Sequence, residues 1–244
     1  TDAAFLRRVA AVNDYVIPMI FDEHYQGGDP GPIASQAFYE QRARDVVAAI
    51  PPEKTVLMVG AYGYNWNDAV PEGSPLAAET MTFQETMAAA REHHAATRWD
   101  STSLNPYLTW TDPDSVDHVV WYLDGATAHN QVAVGDSLRV AGQAVWRLGD
   151  EDGSVWQALR RAPADSLRRV PPGYDVEFQN AGEMLRIVAQ PEAGERVLHT
   201  DRRTGLVVFD SIFEPPVPYV VDRYGSSAHR VALTFDDGPD GRWT

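Results

Sequence analysis

Cysteine is absent from the 244 residues. Disulfides, thiolate nucleophiles and thiolate-based zinc sites are therefore excluded together. The compartment stays open, because an exported bacterial protein can dispense with cysteine. Basic residues are scarce: 20 Lys and Arg against 35 Asp and Glu give a formal net charge of −15. A surface that acidic repels phosphate backbones, which argues against nucleic acid as a partner, and no polybasic patch is present for a membrane surface. Long apolar runs are lacking as well. None approaches the roughly 18 residues of a membrane-spanning helix, so no membrane segment is expected in this chain.

What is present is ordinary in amount. Apolar residues at 44% and charged residues at 23% exclude disorder for the bulk of the chain. The length fits one or two domains of about 100–200 residues each. The chain opens on Thr1 with an amphipathic segment and reads as a piece of a longer polypeptide. Seven Trp and ten Tyr supply flat rings, which stack on sugar faces and equally well fill cores.

Residues 15–21 form an apolar run that reads as a strand ending at Asp22-Glu23-His24. Ser35 reads as the N-cap of a helix with Phe38, Val46, Val47 and Ile50 on one side, stopped by Pro51-Pro52. Val56 to Ala61 is a second apolar run, leading into Tyr62-Gly63-Tyr64. Thr82-Phe83-Gln84-Glu85 has the capping-box pattern, with a helix expected to about Thr97. Two short strands (107–110 and 119–123), a helix (127–140) and a strand ending at Trp146 follow. Asp150-Glu151-Asp152 reads as a solvated turn. Strands alternating with helices are the signature of parallel βα units. After about residue 161 the pattern turns β-rich, and Glu214 to Pro218 reads as a stiff linker. A last apolar strand, Val231 to Phe235, runs into Asp236-Asp237-Gly238-Pro239.

Adjacent carboxylates repel, so the Asp236-Asp237 pair makes sense where one binds a metal and the other takes a proton. Thr234-Phe235-Asp236-Asp237-Gly238-Pro239 resembles the first motif of the NodB-homology polysaccharide deacetylases, with Asp240 and Trp243 also matching. The resemblance implies Asp236 as catalytic base and Asp237 as ligand of a divalent metal, usually zinc. The family's further ligands come from a His-x-x-x-His motif, which none of the seven His here forms. One carboxylate does not hold a catalytic zinc, so no deacetylase activity and no bound cofactor are expected of this chain alone.

Met19-Ile20-Phe21-Asp22 resembles the sixth-strand motif of glycoside hydrolase family 18, with Phe21 where that family has Tyr. Gly60-Ala61-Tyr62-Gly63-Tyr64, Val120-Trp121-Tyr122-Leu123-Asp124 and the run 144–152 are similar to the branch whose barrel precedes a deacetylase and a processive glycosyltransferase. The implied fold is α/β: the C-terminal half of a (β/α)8 barrel over 1–160 with a small inserted β element. A β-rich connector over 161–229 and the start of a deacetylase domain over 230–244 complete it. The implied substrate is a polymer of N-acetylated amino sugar at the bacterial cell surface, handled by a membrane-anchored parent. Family 18 uses the substrate's own N-acetyl oxygen as nucleophile and a Glu as acid; the resemblance places that Glu before Thr1. Asp22 would then orient the N-acetyl group and Trp146 would floor the sugar site, with Tyr62 and Tyr64 as further substrate-binding residues. The alternative is a non-catalytic carbohydrate-binding or scaffolding module. Pro18, which cannot donate a ladder hydrogen bond, argues for an irregular first strand.

Overall fold

Small polar side chains decide where the helices begin. In the computed structural model, which describes residues 2–69 and 78–226, Asp2 caps helix α1 (Ala3–Val12) by accepting from the Ala4 amide. Ser35 caps α2 (Gln36–Val47) through the Phe38 amide, and Pro51-Pro52 stops the chain from continuing as helix. Strands β1 (Val56–Gly60), β2 (Gly63–Asn67) and β3 (Ala78–Met81) follow. Thr82 and Glu85 form both bonds of a capping box at the start of α3 (Phe83–Glu92). This helix ends short of Thr97. His94 turns left-handed (φ +49°), and the chain leaves in extended form as β4 (Arg98–Asp100).

Strands β5 (Asn105–Thr111) and β6 (Asp117–Tyr122) lead to α4 (Gly125–Leu138), capped reciprocally by Asp124 and Thr127. Then come β7 (Gly142–Trp146) and the short α5 (Val155–Leu159). The β-rich remainder contains β8 (Arg169–Val170), β9 (Glu177–Gln179), β10 (Met184–Ala189), β11 (Gly194–Thr200), β12 (Val207–Glu214) and β13 (Val220–Tyr224).

Strands β1 and β7 lie parallel, with Gly60 opposite Trp146. Val16 adds a parallel bridge to Thr55 on the other side of β1. Helices α2 and α4 cover this parallel layer, where Tyr39, Ala43, Val46, Leu57, Val59 and Val134 share one core. Each Val or Leu among them contributes about 1.5–3 kcal/mol when fully buried. The sheet is open, not closed into a barrel. Between β1 and α4 is inserted an antiparallel sheet in the order β3-β2-β6-β5-β4. One of its faces places Leu108, Val120 and Tyr122 on Phe83, Met87 and Ala90 of α3. The other turns Tyr64, Trp66, Val119 and Trp121 toward the segment around Phe21 and Ile33.

Three further expectations need correction. Residues 17–21 carry no strand pairing; only Val16 bridges. Pro18 lacks the amide that a ladder needs, and Asp22 is left-handed at φ +63°, so the run cannot lie flat against β1. The Glu214–Pro218 stretch is no free linker: Val217 exchanges two backbone bonds with Glu192, and Arg91 donates to the Pro216 carbonyl. Asp150, Glu151 and Asp152 are buried, not solvated. Asp150 pairs with Arg147, Glu151 accepts from Gly149 and Trp156, and Asp152 meets a buried arginine described below. Among the described residues no helix is long and apolar enough to cross a membrane.

Candidate functional site

Asp22 stands where the irregular first segment ends, beside the carboxyl end of β1. Its left-handed backbone is a conformation that Asp tolerates better than most residues, and such positions gather at sites where geometry matters more than local comfort. The carboxylate is held from β2's side. The Tyr62 hydroxyl donates to Asp22 Oδ1 at 2.5 Å and the Tyr64 hydroxyl donates to the same oxygen at 3.1 Å. Among the described residues Oδ2 takes no hydrogen bond, so it is free to accept from a ligand.

The two phenols are buried, Tyr62 at 4% exposure and Tyr64 at 9%, whereas Asp22 is exposed. Burial, reinforced by the neighbouring carboxylate, drives the Tyr62 phenol far above its ordinary range and pushes Tyr64 up to about 12. Both hydroxyls therefore stay protonated, as donors to Asp22, at any pH near neutrality. The rings are locked edge to face. Phe21 meets Tyr62 at 5.7 Å, Tyr62 meets Tyr64 at 5.3 Å, and Tyr64 meets Trp66 at 5.6 Å between centroids. Trp66 is anchored by its Nε1 donating to the Gly28 carbonyl at 2.8 Å. Gly60 is small for a reason. A Cβ there would come within 2.6 Å of Leu123 Cδ1 and 3.2 Å of the Tyr62 ring.

Trp146 ends β7 opposite Gly60, and the Ala61 amide donates to its carbonyl at 2.7 Å. The peptide to Arg147 is cis, and the side chain is 45% exposed. Asp22, Tyr62, Tyr64 and Trp146 thus all come to the carboxyl end of the parallel layer. Phe21, lacking a hydroxyl, contributes only packing. Asp236 and Asp237 lie outside the described residues. Among the described residues no three His, Asp or Glu side chains are grouped as metal ligands.

Tyr107 and Trp121 join the site only through the fold. Strand register places Trp121 opposite both Tyr64 and Tyr107 on one sheet face, and the Tyr107 and Trp121 rings stack at 4.9 Å. A half-buried aromatic row therefore extends from Asp22 across the inserted sheet. The alternation of β5 and β6 puts Tyr107 and Thr109, and Val119 and Trp121, on one face of each strand, and the register brings the two rings together.

No protein-family model matches the chain. Among curated proteins, an uncharacterized glycosylase, YvbX, of Bacillus subtilis is 27% identical over 154 residues, which is 63% of this chain and 44% of that protein. A cortical fragment-lytic enzyme of Bacillus anthracis is 25% identical over 146 residues, 60% of this chain and 34% of the enzyme. The chain thus spans less than half of the length of these relatives. A chitinase from Chromobacterium violaceum aligns at TM-score 0.58 and 25% identity, covering 65% of this chain and 48% of the chitinase. The Bacillus cereus spore cortex-lytic enzyme SleL aligns at 0.57 and 24%, with 64% and 36% covered. The relatives are glycosylases and cortex-lytic enzymes, and the fold is the open, partial form of a chitinase-like TIM barrel.

Proposed function

We propose that this chain supplies part of a glycoside hydrolase family 18-like site for polymers of N-acetylated amino sugars. The observation that carries this reading is a carboxylate presented at the barrel's carboxyl end, fixed through one oxygen by two buried phenols. The other oxygen is left to accept the N–H of an acetamido group. A prepositioned acceptor loses little entropy on binding, and holding the acetamido group in one orientation is what a reaction using its carbonyl as nucleophile requires. Trp146, Trp121 and Tyr107 offer ring faces to successive sugars. Of the roles such hydrolysis needs, these residues bind and orient.

The Asp236-Asp237 pair enters on its sequence alone. Asp237 would hold a divalent metal, zinc by the resemblance, and Asp236 would act as base in removing N-acetyl groups from the same class of polymer. A bacterial cell-surface setting and a membrane-anchored parent belong to the same proposal.

Isothermal titration of the full chain with N-acetylglucosamine oligomers, and with the matching free-amine oligomers at high salt, tests the reading. The acetylated ligand is expected to bind about tenfold tighter or more, the worth of one hydrogen bond to a charged group. Equal affinity for both would contradict an acetamido-directed Asp22.

A further inference from the structure

The β-rich segment is fastened to the barrel-like part by a sealed charge cluster. Arg196 on β11 is 2% exposed, and three carboxylates converge on its guanidinium. Nη1 donates to Asp124 Oδ2 at 2.8 Å and to Asp210 Oδ2 at 3.3 Å, and Nη2 donates to Asp152. Asp124 starts α4, Asp152 precedes α5, and Asp210 lies on β12, so the cluster joins two barrel-side elements to the β11–β12 hairpin. Tyr122, at the end of β6, also faces the group with a buried hydroxyl that has no partner among the described residues.

The charges do not balance. One guanidinium against three buried carboxylates would leave two uncompensated negative charges away from water, which a protein avoids by keeping a proton. The hydrogen bonds say where it sits. Asp152 accepts from the Gly125 amide, the Ser154 amide and the Ser154 hydroxyl besides Arg196. Asp124 accepts from the Ala126 and Thr127 amides. Asp210 accepts only the long bond from Arg196, and no donor reaches its Oδ1 among the described residues. Burial and the facing Asp124 both raise the affinity of Asp210 for a proton, against the pull of Arg196.

We propose that Asp210 is held as a neutral acid donating toward Asp124, and that this proton latches the hairpin onto the barrel-like part. Losing it places a second uncompensated charge in the sealed cluster and loosens the docked hairpin as pH rises. The sign follows from linkage. The folded state binds a proton that the unfolded or undocked state releases near the ordinary Asp range, so docking is strongest below that range and weakens as pH rises from it toward the raised folded-state value. This inference stands apart from the sugar site.

The test uses amides that report docking. The Val207 amide donates to Asn130 Oδ1 at 2.7 Å and the Ile212 amide donates to Thr97 Oγ1 at 2.7 Å, both across the junction. Their hydrogen-exchange protection factors, corrected for intrinsic rates, are measured from pH 5 to 10 in the full chain and in Asp210→Asn. The wild type is expected to lose protection with pH, approaching tenfold per unit while the docked Asp210 keeps the proton that the undocked state has released, and to level off once the docked Asp210 ionises. Asp210→Asn keeps a donor that cannot ionise, and its protection should be flat over the same range. In parallel, the Asp210 side-chain carbon chemical shift should report a protonated carboxyl at pH 6. An ionised Asp210 at pH 6, or identical pH profiles in the two proteins, would overturn the latch.

Discussion

Two carboxylate clusters in this chain are built on opposite terms. Asp22 is exposed, fixed through one oxygen, and backed by neutral phenols. Asp124, Asp152 and Asp210 are sealed around Arg196, with Asp124 and Asp152 well supplied with donors and Asp210 poorly so. The open arrangement leaves an acceptor for something to bind; the closed one leaves no room for a ligand and joins elements distant in sequence. A carboxylate's unused oxygen that faces solvent, not the number of carboxylates gathered, marks a site.

The contrast can be broken hardest at Arg196. Arg196→Met removes the cation from three buried carboxylates and is expected to cost about 3–5 kcal/mol in urea unfolding. A loss under about 1 kcal/mol, the scale of an exposed ion pair, would show that the cluster is hydrated after all. Asp22→Asn should behave in the opposite way. It keeps the left-handed backbone and an acceptor for the phenols, so the thermal midpoint should move little, while affinity for N-acetylated oligomers drops about tenfold. Unchanged affinity would remove Asp22 from the site.

A smaller effect sharpens the same comparison by titration. Tyr64 holds its proton to about pH 12, whereas an unfolded tyrosine loses it near pH 10. The folded state therefore binds the extra proton in that window, and stability should fall as pH rises from about 10 toward 12. Ultraviolet absorbance should show late ionisation that becomes earlier in Asp22→Asn, and a Tyr64 that ionises near 10 would deny its burial beside the Asp22 carboxylate. The smallest expected change is Thr82→Ala. It removes the cap of α3, on the sheet face away from Asp22, for about 1 kcal/mol with no change in sugar affinity.

What could be read from the sequence was what depends on near neighbours. The capping box at Thr82, the Ser35 cap, and the runs forming β1 and β7 are local patterns. Asp22, Tyr62, Tyr64 and Trp146 were found because short motifs carry them, and the parallel layer brings them to one end. Asp152 was misread because its partner, Arg196, lies 44 residues away, and a run of acids without that partner looks solvated. Arg196 had a signal of its own. It occupies the inward phase of β11, between Gly194 and Leu198, where a charge demands compensation. Trp121 and Tyr107 required strand register, which alternation alone leaves open.

An aromatic row beside Asp22 that receives an N-acetylated sugar polymer is open to nuclear magnetic resonance through the seven tryptophan indoles. Titration with N-acetylglucosamine tetrasaccharide should shift the Nε1–H resonances of Trp121 and Trp146, leaving Trp99 and Trp156, which lie outside the row, in place. In Asp22→Asn the same shifts should require about ten times more ligand. Shifts confined to Trp99 or Trp156, or none at saturating tetrasaccharide, would contradict the account.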